Sequence, residues 1–117
     1  MATREIKRTA LVTFTPEQMF DLVVDVERYC EFLPWVAGAQ VHARQERELE
    51  ASITMERAGI RQSFTTRNVM QRPEWMSLQL VEGPFRKLEG LWTFSAIGTA
   101  GTKVVLDMKF EFANSVA

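Results

Sequence analysis

The chain has 117 residues, of which 46% are hydrophobic and 25% charged, proportions typical of one globular domain with a core of its own. Its formal net charge of −1 argues against nucleic-acid binding through bulk charge, although a local basic patch stays compatible with it. The single cysteine allows no internal disulfide, no apolar run approaches the ~20 residues of a membrane span, and no signal peptide is expected. We therefore expect one cytoplasmic domain over residues 1–117.

A strand and the main helical segment open the chain. The β-branched stretch from Ile6 to Phe14 predicts the first strand. Thr15 then fits a helix N-cap, Pro16 fits the first helical position, and Gln18 completes a capping box. The apolar residues that recur at helical spacing are Met19, Phe20, Val23 and Val24. They predict an amphipathic helix with one buried face.

A second short helix is predicted from Val26 to Phe32, and Pro34 ends it because proline lacks a backbone donor. An apolar cluster closes this segment, formed by Tyr29, Phe32, Leu33 and Trp35. Gly38 is expected to close the helical region. The sequence thus predicts a short, bent helix pair near the N-terminus.

The rest of the chain predicts strands. From Glu46 to Glu56, apolar and polar residues alternate strictly, which indicates one buried and one solvated face. Glycine turns separate further alternating stretches. The other predicted strands are Gln40–Arg44, Ile60–Met70, Trp75–Val81, Leu88–Ile97 and Val104–Phe112. The fold class is therefore α+β, with about seven antiparallel strands.

Candidates for catalysis and metal binding are few. His42 is the only histidine and Cys30 the only cysteine, whereas metal sites and nucleophile–base pairs need several converging groups. We expect His42 on the surface and Cys30 buried as an inert thiol. The sequence predicts no metal site and no catalytic residues.

The inward-facing apolar positions have two interpretations, a simple core or a pocket for an elongated apolar ligand. If Ile60 and Phe64 face inward, strand alternation also turns Gln62, Thr66 and Asn68 inward. Buried polar side chains need partners, water or a ligand. This favours a cavity.

Basic residues of the middle hairpins also have two interpretations. Arg61, Arg67, Arg86 and Lys87 could form a patch for RNA phosphates, or they could belong to an ordinary mixed-charge surface. Arg61 and Arg67 are expected on the outer face. The acidic residues of the helical segment would repel RNA, so a contact with a ribonucleoprotein should use these hairpins or its protein component.

Three motifs carry a resemblance to a known family. They are Tyr29-x-x-Phe32-Leu33-Pro34-Trp35, Gly83-Pro84-Phe85-x-x-Leu88-x-Gly90-x-Trp92-x-Phe94 and Phe110-Glu111-Phe112. Together they make the chain resemble the coenzyme Q-binding, polyketide cyclase-like branch of the START superfamily over nearly its whole length. This branch includes bacterial ribosome-association toxins and mitochondrial coenzyme Q-binding proteins.

The resemblance implies a helix-grip fold, in which a curved antiparallel sheet wraps around a long C-terminal helix and leaves a hydrophobic tunnel. In this chain the long helix would begin about where the sequence stops, so we expect it to be missing. The concave face would then expose apolar surface, through which the chain would self-associate or bind a lipid.

The resemblance also implies a function. We expect non-enzymatic binding of a polyisoprenoid quinone such as ubiquinone, or a related lipid, in support of respiration, with no other cofactor. The alternative is a ribosome-association toxin that binds the large subunit and blocks subunit joining. A polyketide cyclase fits least, because no acid–base pair is found. The expected ligand-binding residues are Phe32, Leu33, Trp35, Met55, Phe64, Leu78, Trp92, Phe94, Met108 and Phe110. The expected ribosome contacts are Arg61, Arg67, Arg86 and Lys87.

Overall fold

A computed structural model describes residues 3–113, apart from the side chain at position 57. The elements in chain order are β1 (Arg4–Val12), α1 (Pro16–Val24), a 3-10 helix (Val26–Glu31), β2 (Val36–Gln45), β3 (Glu48–Arg57), β4 (Ile60–Gln71), β5 (Trp75–Glu82), β6 (Phe85–Ile97) and β7 (Gly101–Phe112). The predicted α+β class is confirmed. Among the described residues, helix is confined to the segment between β1 and β2.

The seven strands form one antiparallel sheet in the order β1-β7-β6-β5-β4-β3-β2. From β2 to β7 each strand pairs with the next strand in sequence, whereas β1 pairs with β7 at the other edge of this meander. The expectation that Gly38 closes the helical region is wrong, because Gly38 lies within β2 opposite Thr54. β2 starts at Val36, so only the turn over residues 32–35 separates it from the 3-10 helix.

The predicted capping box at the start of α1 is confirmed. The backbone N–H of Gln18 donates to Thr15 Oγ1 at 3.1 Å, and the backbone N–H of Thr15 donates to Gln18 Oε1 at 2.9 Å. The buried face of α1 carries Phe20 and Val23. The ring of Phe20 meets Phe94 of β6 edge-on, with centroids 5.6 Å apart. α1 therefore packs on the face of the sheet that we call the concave face.

Strand register identifies the other residues of the concave face, because directly paired residues of antiparallel strands project to the same side. Phe94 pairs with Val104, Met76 with Trp92, and Met70 with Met76. The core lies where the helices cover this face. Its buried residues are Phe20, Val23, Val26, Leu49, Ala51, Met70, Met76, Phe94 and Val104.

The 3-10 helix covers the β2 side of the concave face, with Val26 only 2% exposed. The Tyr29 hydroxyl donates to the Val23 carbonyl. Burial raises the pKa of Tyr29, and the negative charge of Asp25 raises that pKa further. Tyr29 therefore acts here as a neutral hydrogen-bond donor that ties the two helices together.

The expectation of a buried Cys30 is wrong, because the thiol is exposed. A 3-10 helix has 3.0 residues per turn, so residues three apart lie above one another. Cys30 therefore lies on the side of exposed Glu27, whereas Val26 and Tyr29 turn towards the sheet. The expectation rested on the apolar helix positions that flank Cys30 in the sequence.

Candidate functional site on the concave face

Beyond the helices, four aromatic rings meet on the concave face near one end of the sheet. We call them the phenylalanine cluster: Phe64, Phe85, Phe110 and Phe112. The centroid of the Phe85 ring lies 5.8 Å from that of Phe64, 6.2 Å from that of Phe110 and 5.4 Å from that of Phe112. Phe112 is 43% exposed, and the other three rings are half-buried. Aromatic surface is therefore left open to solvent.

The turn between β5 and β6 brings Phe85 into this cluster. A Cβ added at Gly83 would lie 2.7 Å from Phe64 Cβ, so only glycine lets the turn pass this close to β4. A register shift between Phe85 and Lys87 in the β6–β7 pairing changes the direction in which the side chains of the first residues of β6 point. Phe85 was absent from the sequence-predicted site, although it stands in the Gly83-Pro84-Phe85 motif.

The sequence-predicted site residues are distributed between the open part of the concave face and its covered part. Met55, Leu78, Trp92 and Met108 are half-buried there, together with Phe64 and Phe110 of the phenylalanine cluster. Phe94 is 5% exposed and lies in the core beneath Phe20. Trp92 stacks beside Phe94 with centroids 6.3 Å apart, at the border between the two parts.

Three more predicted site residues follow the 3-10 helix. Phe32 is 49% exposed, Trp35 is 43% exposed and Leu33 is half-buried. The backbone N–H of Glu56 donates to the Trp35 carbonyl at 2.9 Å, which anchors this segment to the end of β3. Trp35 is next to Val36, whose partner across the β2–β3 pair is Met55. The segment therefore borders the Met55 end of the concave face.

Polar side chains also lie on the concave face, as strand alternation predicted. Thr66 pairs with Ala51, and Asn68 pairs with Leu49 and Leu78. Thr66 and Asn68 are 6% and 3% exposed, and the Thr66 hydroxyl donates to Asn68 Oδ1 at 2.8 Å. Gln62, the third predicted residue, is exposed. The apolar face thus contains one buried polar pair.

Three residues of the predicted basic patch, Arg61, Arg67 and Lys87, lie on the opposite, convex side by register and are ion-paired. Arg67 contacts Glu48 at 3.2 Å and Glu50 at 3.5 Å, in pairs that span β3 and β4. The remaining pairs join Arg61 to Glu56 at 3.6 Å and Lys87 to Glu89 at 3.5 Å. Arg86 has no acidic partner within 4.0 Å among the described residues. Because β5 separates β4 from β6, the four residues form two groups.

His42 has partners that the sequence did not reveal. Its Nε2 lies 2.6 Å from Ser52 Oγ, and Ser52 Oγ lies 2.5 Å from Thr65 Oγ1. A second pair, Thr54 and Ser63, continues this hydroxyl ladder at 2.8 Å. His42 is exposed, as predicted, and no carboxylate contacts its ring within the described part of the chain. The ladder joins β2, β3 and β4 across the convex face.

Residues 3–113 contain neither a metal-binding cluster nor a membrane-spanning helix. No group of three or more His, Cys, Asp or Glu side chains is placed to hold a metal ion. None of the described helices combines the length and the apolar character needed to cross a membrane.

Residues 12–117 match the sequence profile of a family described as polyketide cyclase / dehydrase and lipid transport. The chain belongs to this family. It is 41% identical over 108 residues to ribosome association toxin RatA of Pseudomonas aeruginosa, which covers 92% of this chain and 75% of that protein. A more distant relative, the mitochondrial coenzyme Q-binding protein COQ10 of Drosophila melanogaster, is 25% identical over 104 residues, or 87% of this chain and 43% of that protein.

Solved structures of other proteins share the fold. The Zhui aromatase/cyclase from Streptomyces sp. R1128 superposes with a TM-score of 0.87 over 98% of this chain and 72% of that chain, at 17% identity. At this identity the similarity supports a shared architecture and not a shared function. The resemblance drawn from the three motifs is thereby confirmed, together with the START-like curved sheet and its short helix pair.

Proposed function

We propose that this protein associates with the ribosome in the cytoplasm, at the large subunit, and hinders subunit joining. The observation that carries the proposal is the 41% identity to a ribosome association toxin over 92% of the chain. At this identity the described fold and surface are expected to serve related partners. The proposed action is non-enzymatic, because blocking a subunit surface needs only binding.

The convex side of the sheet is the surface we assign to ribosomal RNA. Exposed arginines on β4 can exchange their glutamate partners for phosphates, since an exposed ion pair contributes only about 0–1 kcal/mol. Arg86, which has no acidic partner within 4.0 Å among the described residues, needs no such exchange. The acidic residues of α1 and the 3-10 helix lie at the other side of the sheet, away from this surface.

Charge reversal with cosedimentation tests this assignment. Replacing Arg61, Arg67, Arg86 and Lys87 by glutamate should reduce pelleting with large subunits, and pelleting of the unaltered protein should weaken as salt rises. Arg28→Glu with Arg44→Glu is the matched control, because these arginines are also exposed and ion-paired but belong to the helical side. If the fourfold reversal and salt both leave pelleting unchanged, the basic-surface assignment is wrong.

A second function, binding of a hydrophobic ligand, is favoured by the open phenylalanine cluster. Apolar surface of this kind, bordered by polar residues, marks ligand or partner sites. We propose a polyisoprenoid quinone such as ubiquinone, or a lipid of similar shape, as the ligand. The distant similarity to a coenzyme Q-binding protein supports this choice.

The concave face favours binding over catalysis. Its described positions on β3 to β7 carry no histidine, aspartate or glutamate, so a cyclase would lack a general base there. Extraction of the purified protein with organic solvent, followed by mass spectrometry, tests the ligand proposal. A quinone or lipid in near-stoichiometric amount supports it, and an empty extract from freshly purified protein contradicts it.

A further inference from the structure

The buried polar pair of the concave face has an unused hydrogen-bond donor. Asn68 is 3% exposed, and its Oδ1 accepts from the Thr66 hydroxyl. No hydrogen bond joins its Nδ2 to another described residue, and the atom is not sealed from solvent, so water can reach it. A ligand that displaced water from this donor would have to supply an acceptor, because a donor left unpaired in an apolar surrounding raises the free energy of the complex. The position is thus suited to an acceptor supplied from outside.

The surroundings of Asn68 restrict what can supply that acceptor. Its cross-strand neighbours are Leu49 and Leu78, and the next pair in this row of the sheet joins Leu78 to Gly90. A Cβ added at Gly90 would lie 3.2 Å from Leu78 Cδ1 and 3.6 Å from Met108 Cε, so these two side chains lean over the glycine. They form an apolar floor beside Asn68, and no charged residue lies in this row between β3 and β7.

We propose that the Asn68 amide, oriented by Thr66, donates a hydrogen bond to a carbonyl oxygen of the hydrophobic ligand. The ligand would place its carbonyl-bearing end at Asn68 and its apolar tail along the phenylalanine cluster. This inference rests on the hydrophobic-ligand function proposed above. A neutral acceptor is favoured over a carboxylate, because no cation stands beside Asn68 in the row and an ion buried there would lack a counter-charge.

The test compares two probes with the same tail. One is a benzoquinone that carries a decyl chain, and the other is decylbenzene, which lacks the carbonyl groups. The measured quantity is the ratio of their dissociation constants for each protein. Comparing this ratio between variants cancels the different solubilities of the probes.

Asn68→Leu should lower the preference for the quinone about fivefold, which corresponds to the loss of one net hydrogen bond. It should leave the dissociation constant of decylbenzene unchanged. Thr66→Val preserves side-chain shape but releases the amide, so it should lower the preference by about twofold or more. Gln79→Leu is the matched control, because Gln79 is exposed on β5 and its partner across the β5–β6 pair is Glu89, on the convex side. The control should leave the ratio unchanged.

The outcomes distinguish failure of the Asn68 inference from failure of the proposed hydrophobic-ligand function. If both probes bind and neither Asn68→Leu nor Thr66→Val changes the ratio, the proposed hydrogen bond to the ligand carbonyl is wrong. The proposal that the protein binds a hydrophobic ligand is retained in that case. If neither probe binds the unaltered protein, the hydrophobic-ligand function fails, and the inference fails with it. If Asn68→Leu does not fold, the ratio measured for Thr66→Val tests the inference by itself.

Discussion

Substitution of Phe85 is the most direct test of whether the phenylalanine cluster binds a ligand. It contacts Phe64, Phe110 and Phe112 with centroid distances between 5.4 and 6.2 Å. Truncating this ring by Phe85→Ala removes the centre of the cluster. The strand and its hydrogen bonds to β7 stay in place, because they belong to the backbone.

The expected magnitudes follow from the half-buried state of the ring. Truncation of a fully buried phenylalanine costs ~3–5 kcal/mol, so a half-buried ring should cost ~2 kcal/mol of folding stability. A bound ligand would cover the remaining half of the ring. Since full burial of such a side chain contributes about 1.5–3 kcal/mol, covering half of the ring corresponds to a loss in binding of ~1 kcal/mol, or about fivefold in the dissociation constant.

Tryptophan fluorescence offers an assay, because a quinone bound on the concave face would quench Trp92 at the border of the open part. Titration with the decyl-substituted quinone gives the dissociation constant, and chemical denaturation gives the stability. Phe14→Ala is the matched control, since Phe14 is 55% exposed in the turn between β1 and α1. An affinity of folded Phe85→Ala within twofold of the unaltered protein would refute the ligand site.

Three further substitutions test other parts of the account. Phe32→Asp should weaken quinone binding in a protein that stays folded, because a carboxylate at the border of the apolar face is costly to cover; unchanged affinity in titration removes Phe32 from the site. Tyr29→Phe should lower the free energy of unfolding by about 1 kcal/mol in chemical denaturation, since the Val23 carbonyl loses its donor. The hydrogen bonds from Arg72 hold the pKa of Asp21 below its usual range, so this pair stabilises the fold above about pH 4 and the contribution is lost as pH falls through the lowered pKa. The small difference in melting temperature between the protein and Asp21→Asn should therefore vanish at low pH.

Local sequence rules predicted the parts of the fold that depend on neighbouring residues. The capping box at Thr15 and Gln18 satisfies backbone donors within one helical turn, so it was visible in the sequence. Alternation along β4 likewise turned Thr66 and Asn68 inward, because successive side chains of a strand point to opposite faces. Both features required no knowledge of the tertiary structure.

Features that depend on distant pairing or on exact helix type were not visible. The ion pairs of Arg67 with Glu48 and Glu50 require the register between β3 and β4, and the partner of His42 requires the register between β2 and β3. The register shift that re-aims Phe85 is likewise a property of two paired strands. Cys30 was placed wrongly because its apolar neighbours in sequence do not determine which side of a 3-10 helix it occupies.

A subunit-joining experiment tests the central claim most directly. Purified small and large ribosomal subunits are mixed with an excess of the protein, and the products are separated on a sucrose gradient. We expect fewer joined ribosomes, more free subunits, and the protein in the large-subunit fractions. A full peak of joined ribosomes, with the protein remaining at the top of the gradient, would contradict it.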